Sequence, residues 1–194
     1  MISELEKIHQ MALLQIEGVG PVLYRKLISH FNSAEKVFKA NKYDFIEFGN
    51  SGKSLYEDLK SEVPMKKAEK EWNYCLKNSI QIISFDDDLY PKSLKNCVDA
   101  PQILYYKGTI ELSDTKTLSV VGTRRCSNYG MSFCQELCAE LAHYNITIVS
   151  GLAYGIDYCA HKYSIENDIS TIAILGHGLD IIYPKKHTYL ANKI

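Results

Sequence analysis

The chain has 194 residues, 46% of them hydrophobic and 23% charged, with 22 Lys/Arg against 23 Asp/Glu for a net charge of −1. That is enough for one medium domain or two small ones with real cores, and no run of 18 apolar residues exists to span a bilayer. So even a charge balance gives no bulk attraction to nucleic acid or anionic lipid, and any polyanion site must be local.

The opening "MISELEKIHQMALLQI" carries acids on an amphipathic pattern, unlike the basic-then-apolar layout of a signal peptide. The six cysteines show no C-x-x-C pair and lie mostly within apolar or helical patterns. Reduced thiols in a cytoplasmic protein are expected.

Residues 1–63 read as a small helical domain. In "LLQIEGVGPVLYRKLISHF" (Leu13–Phe31) a tight turn precedes a helix whose first turn suits Pro21. Ser33 offers a cap to "SAEKVFKA". Pro64 opens a long polar helix with Ala68, Trp72, Cys75 and Leu76 on one side, and a second domain is expected over 64–194. From Ile80 the texture turns β-rich: "IQIISF" and "PQILYYKG" read as strands, with the turn cluster "DDDLYP" between them. Then "TLSVVG", "ITIVSG" and "STIAILG" alternate with the helical patterns "MSFCQELCAELAHY" and "IDYCAHKYSIEN". Strands separated by single amphipathic helices predict a parallel, doubly wound α/β sheet of Rossmann-like type. The pattern stops at "GLDIIYPKKHTYLANKI", where a further helix is expected. One mononucleotide-type half is present without its usual second half. The domain is then either truncated or a minimal one that completes its sheet with a partner.

The chemistry lies in the turns. Gly122, Gly151 and Gly176 end the three strands, on the sheet edge where helix N-termini point outward and favour anions. Two of the chain's three arginines, Arg124 and Arg125, sit in the first of these turns. A guanidinium there is a planar fork suited to phosphate oxygens; the blander role is a solvated surface charge. From Gly122 onward six Lys/Arg face six Asp/Glu, so no broad basic face is evident. The absent G-x-G-x-x-G argues against NAD.

"VVGTRRCSNYG", "IVSGLAYGIDYCAH" and "AILGHGLDIIYPKKH", preceded by "DDLYPKSLKNCVDAPQILYYKG", together resemble the DNA-processing protein A (DprA/Smf) family from about Ile82 to Ile194. Upstream the likeness is weaker, although the family's sterile-alpha-motif or helix-hairpin-helix-like module fits. The resemblance implies an extended Rossmann fold that binds single-stranded DNA without catalysis or cofactor. It implies a protein that protects incoming strands during natural transformation and hands them to the RecA recombinase, and that forms a homodimer when full-length.

It carries over Gly122 and Arg124 of the family's G-S-R turn, with Thr123 for the serine. It also carries Ser150, Gly151, Gly155 and Asp157 of the second turn, and Gly176, Gly178, Tyr183 and Pro184 of the third. Tyr154 stands where the family is often basic, and a tyrosine stacks on a base rather than neutralising phosphate. With Thr123, Arg125, Tyr154 and Lys185 added, the candidate phosphate-binding set is Gly122, Thr123, Arg124, Arg125, Ser150, Gly151, Tyr154, Gly155, Gly176, Gly178 and Lys185.

Other features admit two readings. "IEGVGP" resembles a phosphate-gripping hairpin turn, but only Arg25 and Lys26 follow it, and a plain inter-helix turn suits it better. Asp157 and His161 stand at i and i+4, a spacing open to metal, yet no third ligand is evident and a helix-start Asp suits a cap. Cys126 reads as an ordinary loop thiol, and Lys185, Lys186 and His187 as a charge run beside the third turn. The alternative to a DNA binder is a Rossmann-like enzyme or sensor of a small nucleotide, although the P-G-G-x-G-T turn of such families is absent.

Overall fold

The computed structural model describes residues 2–112 and 115–194, and the fold divides into two compact units, Met1–Lys107 and Gly108–Ile194. The first unit begins with α1 (Glu4–Leu14), α2 (Pro21–Phe31) and α3 (Ala34–Lys39), and continues through a 3-10 turn at Lys42–Phe48 into α4 (Gly49–Lys60) and α5 (Val63–Lys77). Helix starts follow local chemistry. Ser3 and Ser33 accept from the backbone of Glu6 and Lys36, and proline opens α2. Leu13, Ile16, Leu27, Val37, Phe45 and Leu59 join in one buried core.

The segment 64–107 packs with these helices. Met11 and Ala12 of α1 share a core with Ala68 of α5 and with Ile103 of β2 (Ile103–Tyr106). Strand β1 (Gln81–Ser84) pairs with β2 antiparallel, with the short helix α6 (Lys92–Lys95) in the connection. Lys7 ties the hairpin down, donating to the Ile82 carbonyl at 2.9 Å and to Asp87 at 2.7 Å, and the buried Ser84 hydroxyl donates to Gln10. The "DDDLYP" cluster is therefore a turn pinned to α1. On α5 the buried residues are Pro64, Ala68 and Cys75. Leu76 is largely exposed instead, because it lies a further 100° or so round the helix from Cys75.

In the second unit β3 (Thr117–Ser119), β4 (Thr147–Ser150) and β5 (Thr171–Ala173) pair in parallel, in sequence order. The crossovers are α7 (Asn128–Leu141) and α8 (Ile156–Glu166). Cys138 of α7, Ile148 of β4, Ala160 of α8 and Ile169 form one core, with Leu118 and Val120 packed beside it. Both helices therefore cover the same face of the sheet, as expected when consecutive parallel strands are joined by crossovers of one hand. Beyond β5 the chain runs irregularly to a 3-10 turn at Lys185–His187 and the single helical turn α9 (Thr188–Ala191). Of the cysteines, Cys75, Cys134, Cys138 and Cys159 are buried, whereas Cys97 is exposed.

Candidate nucleic-acid interface

The first turn leaves the sheet after Val120, whose N–H still donates to the Val149 carbonyl at 2.9 Å. A Cβ on Gly122 would lie 2.6 Å from the Ile156 side chain, so glycine lets the turn settle on the first residue of α8. The Thr123 hydroxyl accepts from the Arg125 N–H at 3.1 Å, closing a tight bend. Arg124 and Arg125 both project into solvent, and neither takes part in an ion pair among the described residues. Ser127 then caps α7, accepting from Gly130 at 3.2 Å.

The second turn is built against the first. Gly155 has φ +81°, and a Cβ there would run into the Thr123 carbonyl and lie 2.7 Å from the Arg124 carbonyl carbon. Only glycine combines that φ with that approach. The neighbouring Ile156 N–H donates to the Thr123 carbonyl at 3.1 Å. Ser150 works from below: it is buried, and its hydroxyl donates to the Val120 carbonyl at 2.6 Å. Gly151 makes room for Asp157, whose Oδ2 would stand 2.8 Å from a Cβ at that position.

The third turn is tied to the second through His187. This residue, grouped by sequence with two surface lysines, is buried. Its Nδ1–H donates to the Leu152 carbonyl at 2.9 Å, and its ring packs against Tyr154 and Tyr158 at centroid distances of 5.0 and 4.7 Å. Tyr154 keeps 40% exposure. Gly176 faces open space, Gly178 lies beside Asp180, and Lys185 is exposed. Tyr183 is exposed while the following Pro184 is buried. So the sequence-predicted residues fall into two groups. Arg124, Arg125, Tyr154, Gly176, Gly178 and Lys185 face outward; Gly122, Thr123, Ser150, Gly151 and Gly155 hold the turns together. The connector His187–Leu152 was not legible in advance, since a buried histidine and a surface one look alike in sequence.

Beneath the second turn lies a polar pair. The Thr171 hydroxyl donates to the Ile148 carbonyl at 3.0 Å, so at 2.7 Å it accepts the Nδ1–H of His161. Among the described residues, the Nε2 of His161 and the Oδ1 of Asp157 are buried without a hydrogen-bond partner. Burial pushes the His161 pKa down to about 4, against the pull of the Asp157 carboxylate, so the ring is neutral at pH 7. Among the described residues no group of three or more His, Cys, Asp or Glu gathers to hold a metal ion. Burial also raises the Cys159 thiol to about 11, with Cys126 and Cys134 adding to the effect.

Three strand-end turns joined by hydrogen bonds, the first carrying two exposed arginines, define a Rossmann-like domain. The family model for DNA recombination-mediator protein A matches residues 81–194, and the chain belongs to that family. It is 31% identical to Protein Smf of Synechocystis sp. over 193 residues, which is 97% of this chain and 48% of that protein. It is 42% identical to DNA processing protein DprA of Streptococcus pneumoniae over 108 residues, 56% of this chain and 38% of the relative. The chain thus spans about half or less of the length of these curated relatives. The X-ray structure of S. pneumoniae DprA superimposes with a TM-score of 0.64 at 25% identity, covering 95% of this chain and 63% of that one. A Helicobacter pylori DNA processing protein A, described for its single-stranded DNA binding mode, gives 0.51 at 31% identity over 59% of this chain and 51% of that one.

Proposed function

We propose that this chain binds single-stranded DNA through its phosphate backbone at the cradle, without catalysis and without a cofactor. The observation that carries the reading is the pair of exposed arginines, free of ion pairs among the described residues, on a glycine-shaped turn that is hydrogen-bonded to its neighbour. A guanidinium already held by a carboxylate would have to break that pair before taking a phosphate. The joined turns hold the lip in place before ligand arrives, which limits the ordering entropy lost on binding. The outward set Arg124, Arg125, Tyr154 and Lys185 would meet the strand, over amides of the turns at Gly122, Gly151, Gly155, Gly176 and Gly178. Thr123 and Ser150 shape those turns.

On this reading the protein is a cytoplasmic recombination mediator. It protects incoming single strands during natural transformation, passes them to RecA, and works as a homodimer. Membership of the family and the single-strand binding described for the H. pylori relative support it. Anisotropy titration of a labelled oligo-dT, a duplex of equal length and AMP, each at two salt concentrations, tests it. Salt-sensitive binding of the oligo-dT alone is expected. Preference for AMP would instead favour an enzyme or sensor of small nucleotides.

A further inference from the structure

The residues that follow the arginine turn are unexpectedly apolar for a solvent-facing surface. On α7, Tyr129 is 80% exposed and Phe133 is 52% exposed. They stand at i and i+4, one above the other on the same helical face. The opposite side of α7 is the packed one, carrying the buried Cys134 and Cys138. Exposed aromatics scattered singly need no explanation, but an adjacent pair following two exposed arginines does. The turn folds back on the helix start: the Cys126 Sγ would lie 2.9 Å from a Cβ on Gly130. Tyr129 is four positions along the chain from Arg125, so their backbones are at most about 14 Å apart. Further along the same face come Glu136 and Glu140, both exposed. The stripe therefore runs from cationic through aromatic to acidic.

That order fits one occupant. A single-stranded nucleic acid presents phosphates and π-faces side by side, and proteins that bind it combine a positive groove with aromatic stacking platforms. We infer that Tyr129 and Phe133 form a base-stacking step adjoining the arginine turn, and that Glu136 ends it by repelling the next phosphate. This rests on the proposed cradle and adds to it a second kind of contact, with the bases. Such a step tolerates any base, because every base has a π-face.

The test uses the full chain and two probes, oligo-dT and an abasic oligonucleotide of equal length. Tyr129→Ala is expected to weaken oligo-dT binding about 5- to 100-fold and to leave abasic binding unchanged, with Tyr129→Phe restoring the parental value. Phe133→Ala should act in the same direction. Glu136→Lys should strengthen binding and steepen the salt dependence by about 0.7 in log–log slope, one added phosphate contact. Melting temperatures close to the parent would show that these surface changes do not act through folding. If Arg124→Ala weakens both probes but Tyr129→Ala and Phe133→Ala weaken neither, the stacking step is overturned and the cradle stands. If none of the three affects oligo-dT, both fall. Equal weakening of both probes by Tyr129→Ala would also overturn the stacking role, since the abasic strand has nothing to stack.

Discussion

At the residue scale, the glycines of the cradle are not equivalent. Gly155 is held at φ +81° with the Thr123 carbonyl in the space a Cβ would occupy, whereas a Cβ on Gly176 would meet nothing within 4 Å among the described residues. Gly155→Ala should therefore lower stability by at least 1–2 kcal/mol or so from backbone strain alone, and should weaken DNA binding by displacing Arg124. Gly176→Ala should stay within about 0.5 kcal/mol of the parent. Urea unfolding of the two variants measures the contrast, and equal losses would mean that the first two turns are not in contact. His161 makes a pH prediction. Its folded pKa of about 4 lies below the 6.5 of an exposed histidine, so the unfolded chain takes up the proton first as pH falls. The neutral ring's contribution is intact above about pH 6.5 and is lost progressively between there and about pH 4, by on the order of 3 kcal/mol. The groups facing the ring are Asp157 on its own helix, the Ser150 backbone of β4, Thr171 on β5 and His187 from the 3-10 turn. Stability measured from pH 7 to pH 4.5 should fall more steeply for the parent than for His161→Gln.

At the element scale, α7 and α8 begin where the turns end, and the starts differ. α7 has a side-chain cap from Ser127, while α8 has glycine, Gly155, at its N-cap and is held instead by the Ile156 bond to Thr123. Ser127→Ala should lower stability by about 0.5–2 kcal/mol, read as a drop in the urea midpoint. These starts were partly legible in sequence. Strand-then-helix alternation located β3, α7, β4, α8 and β5, because buried β-branched runs and 3.6-residue periodicity are local signals. What pairs with what was not local. Nothing in "IQIISF" or "PQILYYKG" says that they form a separate hairpin pinned by Lys7, and nothing near Leu76 says that it faces out. Likewise Ser150 and Asp157 could be seen as turn residues, but whether their oxygens face ligand or protein depends on neighbours 30 and 6 positions away, Val120 and Gly151.

At the scale of the whole molecule, charge sets the expectation. With a net charge of −1, binding cannot rest on a general positive field and must come from a few placed contacts. If Arg124, Arg125 and Lys185 each meet a phosphate, the log–log salt slope for single-stranded DNA should be about −2, much shallower than for a protein with an extended basic face. The two units differ in what they contribute. The cradle and the aromatic stripe both lie within Gly108–Ile194, and the family match includes all of it. Substitutions in the helical core of Met1–Lys107, such as Phe45→Ala, should lower stability by about 3–5 kcal/mol without changing the salt slope of the folded protein.

The most direct measurement is the affinity for oligo-dT across a salt series, for the parent chain and for Arg124→Ala. A loss on the order of 1–3 kcal/mol at low salt is expected, together with a slope shallower by about 0.7, one phosphate contact removed. An Arg124→Ala protein with the parent's affinity and the parent's slope would contradict that expectation.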